Sequence, residues 1–304
     1  MTALEPFDLD AWRAATSATR ARATRVLADK HADTLALVRT DAGDLELPVF
    51  VHKESGLLFH LVPGGRFEMG LRDEELERLQ AQYSFYNDAD DADRMLQSET
   101  MKPVVTIEVA PFLLAVAPLD GKQLEWLRAA PEARAKLARG RGKKTFDYEK
   151  VAKLPAKAYL AFLEQSSAGE VENDEVDEIE AALHALGLRL PSEAEWERTA
   201  RGGDGRSFPS GELIPKNPST GVNPFGFADL GATCDVCADG AVATLEGIPR
   251  DGSPRPPDEH RVVRGGAANV WPWQGPGWTL LACATRQSME SEDGLLAIRP
   301  ARSL

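Results

Sequence analysis

Between Thr34 and Met69 the apolar positions fall into short clusters separated by turn chemistry, the pattern of consecutive strands. Thr34–Val38, Leu47–Val51 and Leu57–Val62 are three such clusters, with Asp41-Ala-Gly43 and Glu54-Ser-Gly56 as the turns. Pro63-Gly64-Gly65 breaks the third, and alternation resumes in Arg66-Phe-Glu-Met-Gly70. Ahead of them, Asp8–Lys30 carries Leu9, Trp12, Ala15, Thr19, Val26 and Leu27 among arginines. That spacing predicts a loosely amphipathic helix lying on the outside of the following domain.

Downstream the pattern alternates between charged helices and short strands. Asp73–Gln97 reads as a charged helix that runs into Asn87-Asp-Ala-Asp-Asp-Ala-Asp93, and Val104–Val109 and Phe112–Val116 read as strands. Gln123–Leu137 and Pro155–Gln165 read as helices, the second with Ala158, Tyr159, Phe162 and Leu163 on one side. Arg139–Lys144 is a local basic loop. Glu170–Glu180 is almost wholly acidic and reads as a surface insertion before a helix over Ala181–Leu186.

Leu190-Pro-Ser-Glu-Ala-Glu-Trp-Glu-Arg-Thr-Ala-Arg-Gly-Gly203 is the best-defined stretch of the chain. Ser192 followed three residues later by Glu195 is a capping box, so a short helix begins here. Gly202-Gly203 supplies the left-handed backbone that ends it, and Trp196 and Ala200 share one face. Taken alone it reads as a capped surface helix. From Asp204 to Glu259 the chain is rich in Gly, Pro, Asn and Ser, and so much irregular chain in a domain points to function or to a bound ligand.

Composition narrows the class. The 304 residues, 43% hydrophobic and 27% charged, suffice for one large core or two modest ones. No apolar run can cross a bilayer, and the N-terminus lacks the basic start and apolar middle of a secretory signal, so a cytoplasmic protein is expected. Three cysteines, Cys234, Cys237 and Cys283, are too few for a disulfide framework and fit a reducing compartment. A net charge of −13 opposes phosphate backbones and anionic lipid, so neither nucleic acid nor membrane is expected as a partner.

Five segments, in order, resemble the formylglycine-generating enzyme (sulfatase-modifying factor) family. They are Leu61–Gly70, Arg189–Glu197, Asn223-Pro-Phe-Gly-Phe-Ala-Asp-Leu230, Arg261-Val-Val-Arg-Gly-Gly266, and Cys283-Ala-Thr-Arg286 with Ile298-Arg-Pro-Ala-Arg302. The resemblance implies an irregular, loop-rich α+β domain of the C-type-lectin kind, here expected over residues 46–304 after an N-terminal helical extension over 1–45. It also implies copper held by two cysteines five residues apart. Cys283 matches the second, but Trp278 stands where the first belongs, and an indole cannot replace a thiolate on monovalent copper. Copper chemistry is therefore not expected.

The relatives that use iron draw histidines from a His-x-x-x-His-x-Glu helix, a spacing that His31, His52 and His60 do not show. Where the family has Gly-Asn-Val-Trp-Glu-Trp this chain has Gly231-Ala-Thr-Cys-Asp-Val236, so Ala232 replaces an asparagine associated with calcium. Arg-Gly-Gly-Ser-Trp becomes Arg264-Gly-Gly-Ala-Ala268.

Other ions stay open. The Asn87–Asp93 run could clamp calcium, although it lacks the glycine and terminal glutamate of the helix–loop–helix calcium loop and reads more simply as a solvated loop. Cys234-Asp-Val-Cys237 has a spacing that suits zinc, with Cys283 and His260 as the remaining candidate ligands; buried free thiols are the plainer reading.

Trp271, Trp273 and Trp278 lie on a Pro/Gly frame that excludes a helix, either as a buried plug or as anchors of a binding surface, and the resemblance places them beside a groove for an extended peptide. Arg264 and Arg299 read as structural ties between loops, whereas Arg286, next to Cys283, is the candidate to meet a ligand, with Asn269 and Ser288 adding hydrogen bonds. The expected function is binding of a peptide or protein on a fold that has lost its copper site, a pseudoenzyme that presents a precursor peptide to a separate modifying enzyme of natural-product biosynthesis. The competing expectation is a non-heme metal enzyme that oxidises a peptide or small molecule through a new ligand set.

Overall fold

The computed structural model describes residues 5–84, 92–130, 134, 151–155, 158–159, 168–215, 222–228, 230–258, 260–266, 278–288 and 296–304. The N-terminal segment forms two helices, α1 (Leu9–Ala14) and α2 (Ser17–Lys30), where the apolar spacing predicts one. The break is local capping chemistry: Asp8 accepts from the amides of Asp10 and Ala11, and Thr16 accepts from Thr19 N to start the second helix. Trp12 is 1% exposed and donates from Nε1 to Leu45 O at 2.9 Å, which ties α1 to the domain.

The strands follow the apolar clusters closely. β1 (Leu35–Ala42), β2 (Leu47–His52) and β3 (Leu58–Val62) pair antiparallel, so β1, inside the stretch assigned to the N-terminal extension, is part of the sheet. β4 (Gly65–Met69) and β5 (Val105–Val109) make a separate two-stranded ribbon, with Arg66 opposite Glu108. β6 (Phe112–Ala115) continues the first sheet against β3, and the chain returns at its end to add β11 (Ala301–Ser303) beside β6. Every residue of β2, β3 and β6 is buried, as their unbroken apolar runs require of strands covered on both faces. Full burial of each Val, Leu or Phe here is worth about 1.5–3 kcal/mol.

α3 (Asp73–Ser84) and α4 (Ala92–Leu96) come between β4 and β5, and α5 (Gly121–Arg128) and α6 (Val176–His184) come between β6 and β11. α5 is shorter than Gln123–Leu137 and starts earlier, because Asp120 and Gln123 form a capping box. The acidic stretch Glu170–Glu180 is not simply an insertion. α6 begins at Val176, five residues before Ala181, and buries Val176, Ile179 and Leu183 on one stripe while Asp177 and Glu178 face out. Acidic composition masked this apolar spacing. Most of the Asn87–Asp93 run and of the Pro155–Gln165 helix, and the whole Arg139–Lys144 loop, lie outside the described residues.

The capped stretch becomes α7 (Glu193–Ala200), with Ser192 Oγ accepting from Glu195 N at 3.1 Å and Ser192 N donating to Glu195 Oε2 at 2.8 Å. It is no surface helix: all eight residues are buried, three glutamates and an arginine among them. α7 packs against β4, β5, β7 (Cys234–Gly240) and β8 (Arg261–Gly265). β7 lies inside the Asp204–Glu259 region that shows no periodicity. With β9 (Gln287–Ser288) and β10 (Leu296–Ala297) it completes a four-stranded sheet in the order β10-β7-β8-β9. α8 (Trp278–Leu281) opens at the last tryptophan of a stretch whose Pro/Gly content excludes a helix; Asn269, Trp271 and Trp273 lie outside the described residues.

Candidate functional site

The site is built outward from α7. Successive turns of the helix place Glu193 and Glu197 on one side, and Arg201 at its C-terminus and arginines from three other segments close on them. Glu197 accepts from Arg264 at 2.7 Å, from Arg201 at 2.8 Å and from the Gly70 amide at 2.8 Å. Glu193 accepts from Arg286 at 2.6 Å and from Arg255 at 2.7 Å, with Arg264 at 3.3 Å. Glu75 of α3 completes the chain with Arg201 at 3.2 Å. Burial alone would push the Glu193 carboxyl up, but Arg264, Arg286 and Arg255 outweigh it and hold its pKa at about 2. At the neighbouring Asp239, burial together with the Glu193 charge outweighs the amides of Glu193 and Arg255 and the Arg255 charge and raises the pKa to about 6.

Arg264 and Arg299 are the ties their residue type suggests. Arg264 donates to Cys283 O at 3.0 Å and Thr285 O at 2.8 Å, and Arg299 donates to Asp235 at 2.7 Å and to the carbonyls of Ala115 and Val116. Asp235 also accepts from Trp196 Nε1 at 3.0 Å and from Thr233 Oγ1 at 2.7 Å. The carboxylate inside the C-x-x-C is thus a structural hub between helix, sheet and C-terminal loop.

Arg286 does two jobs. It grips Glu193 through Nε and Nη2, while Nη1 donates to Thr100 O at 3.1 Å and Val242 O at 2.9 Å. Those two carbonyls belong to residues that line a cleft of about 600 Å³, whose lining also includes Arg286, Gln97, Asp258, His260, Gln287 and Ser288. One guanidinium therefore ties the buried Glu193 to two carbonyls of the cleft lining. His260 is half-buried and Ser288 exposed there, so three residues singled out in the sequence, Arg286, His260 and Ser288, converge. Gln97 sits on the rim in the left-handed region (φ 53°), and neither it nor Thr100 or Asp258 carries a motif that could have marked it. Gln287 is pinned by its Nε2 donating to Gly265 O at 2.7 Å.

The remaining candidates do not join the cleft. Trp278 is 7% exposed and packs on Tyr83 and Phe208, with ring centroids 5.4 and 6.3 Å away. Cys283 is fully buried in the core, and burial raises its thiol pKa far above the ordinary value. A single sulfur, with an indole that can only donate in place of the second, does not fit a linear copper ion, which needs two thiolates.

Cys234 and Cys237 are three apart along the extended strand β7, a spacing that turns side chains to opposite faces. Cys237 is buried, and burial with Asp239 nearby raises its pKa. Among the described residues no three of His, Cys, Asp and Glu are grouped as ligands of one ion.

Comparison with known proteins accords with this geometry. A search of curated proteins finds no match. Among solved structures, PvdO from Pseudomonas aeruginosa superposes with a TM-score of 0.52 at 19% identity, over 84% of this chain and 98% of that one. Treponema denticola variable protein 1 follows with a TM-score of 0.45 at 15% identity, over 81% and 95%. The family model for the sulfatase-modifying factor enzyme 1-like domain matches residues 52–226, which hold the Leu61–Gly70 strand and ribbon and the whole of α7, and the chain belongs to that family.

Proposed function

We propose that the protein binds an extended segment of a peptide or protein partner in the cleft between Thr100, Val242 and β9, without the copper chemistry of the family. The observation that carries this reading is the character of that cleft. Its floor includes β9, which stands at the end of the four-stranded sheet, with Ser288 exposed and Gln287 locked in place. An extended chain satisfies such a strand edge with its own main chain, while polar groups such as His260, Asp258 and Gln97 around it select side chains. The buried arginine–glutamate network beneath keeps the walls fixed, so little ordering cost falls on binding.

The donor set supports a holder over a copper oxidase, because Trp278 is packed into an aromatic cluster and Cys283 is buried as a neutral thiol. A partner presented in this way would be a precursor peptide acted on by a separate enzyme. Isothermal titration against small peptides encoded beside the gene tests the reading. Saturable binding that Cys283→Ser leaves unchanged is expected, and binding to none of them would count against it.

A further inference from the structure

The arginines of the core obey a rule with one exception. Arg39, Arg201, Arg261, Arg264, Arg286 and Arg299 are all buried, and each has a carboxylate within 3.2 Å, whether Asp41, Glu197, Asp177, Glu193 or Asp235. Arg198, 2% exposed on α7, has none within ion-pair distance among the described residues. It donates only to carbonyls, Gly64 O at 2.7 Å, Arg66 O at 3.2 Å and Pro63 O at 3.3 Å. A buried guanidinium without a counter-charge is costly, and burial lowers its pKa to about 10 against the more distant pull of Asp8 and Asp10.

This residue lines a second pocket, of about 190 Å³, between β4 and the loop after α7. Arg66, Arg72 and Arg201 line it with Arg198, and Phe67 lies under the Arg198 guanidinium at 5.7 Å. The acids nearby are largely committed. Asp8, by Gly65 on the same side as Arg198, caps α1 through the amides of Asp10 and Ala11. Glu75 is paired with Arg72 and Arg201, Glu197 with Arg201 and Arg264, and Glu108 with Arg66, while Glu68 is exposed at the rim. Gly205, at φ 76°, lets the loop approach: a Cβ there would stand 3.2 Å from Arg72 Nη1.

We propose that this pocket is an anion site that takes the oxyanion group, phosphate or carboxylate, of a small ligand, with Arg198 as the buried charge it neutralises and Arg66 and Arg72 as its outer clamps. Guanidinium groups bind both kinds of oxyanion through paired N–H donors, and Phe67 offers an apolar face to what the group is attached to. The site is separate from the cleft at β9 and does not depend on peptide binding there.

The test is a thermal-unfolding titration of the full chain with inorganic phosphate and, separately, succinate, each against sodium chloride at equal ionic strength. A ligand of the folded state stabilises it in proportion to the logarithm of one plus the ratio of its concentration to its Kd, and the Tm rises accordingly. A rise with either anion beyond chloride that follows this logarithmic dependence is expected, and the anion that produces it assigns the group. Arg66→Gln, at a side chain 77% exposed, avoids setting a second carboxylate against Glu108 and should weaken the apparent affinity by at least about tenfold. Arg72→Gln should do the same. No rise with either anion, or a rise that both variants leave intact, overturns the assignment.

Discussion

The five-stranded sheet and the α7 hub are equally buried and are held together by opposite means. β2, β3 and β6 exclude water with Val, Leu and Phe, whereas α7 excludes it with Glu193, Glu195 and Glu197 bound into arginine–carboxylate chains and with Arg198 held by carbonyls. Loss of an apolar side chain costs area and a cavity, but loss of one ion partner strands the other in a medium that cannot solvate it. The hub is therefore the more brittle of the two, and it is the part that fixes the walls of the cleft.

The sharpest contrast is Glu197→Ala against Leu61→Ala. The first removes the carboxylate shared by Arg201 and Arg264 and should cost about 3–5 kcal/mol, or prevent folding. The second should cost about 2–5 kcal/mol by cavity formation. Urea unfolding measures both, and raising the salt concentration should leave the two costs unchanged because neither site is solvated.

Acid separates the regions by their titrating groups. His52 and His60 lie on β2 and β3, and burial lowers them from 6.5 to about 4 and about 3. Folded, they stay neutral while the unfolded chain takes up protons, so stability is full above pH 6.5 and falls as pH drops. The loss should reach on the order of 2–3 kcal/mol each by about pH 4.5. The depressed Glu193 acts lower, its contribution complete above the unfolded value of 4.5 and lost as pH falls toward about 2. Asp239, raised from 3.8 to about 6, works the other way, its contribution complete below 3.8 and lost as pH rises through 6. His52→Gln should flatten the upper limb of an acid-unfolding curve followed by tryptophan fluorescence and leave the lower limb in place.

A smaller effect belongs to the cap. Ser192→Ala removes the bond to Glu195 N and the one to Gly252 O at 2.7 Å, and should cost about 1–2 kcal/mol in the same urea assay.

What the chain reveals before folding divides along the same line. The sheet is legible because its apolar runs and glycine turns are local signals, with Gly43 at φ 61° and Gly56 at φ 73° where the turns are expected. The start of α7 is legible for the same reason, since Ser192 and Glu195 are three apart. Its burial is not, because nothing near Glu197 in sequence announces Arg264 or Glu75; these pairings span the chain. α6 was hidden by its own acids, and β7 by a bulge between Val236 and Gly240 that breaks alternation. Arg286, His260 and Ser288 could be singled out one at a time, but Gln97, Thr100 and Val242 meet them only through the fold.

The central claim, that the cleft at β9 holds an extended peptide, is tested most directly by selecting binders from a random peptide library on the immobilised protein. The best is then titrated against the wild type and Ser288→Trp, an exposed position where the indole fills the cleft without touching the hub. The account predicts a selected peptide whose affinity drops at least about tenfold in Ser288→Trp, with the same Tm for both proteins. A library that yields no binder, or a peptide held equally well by both proteins, would contradict it.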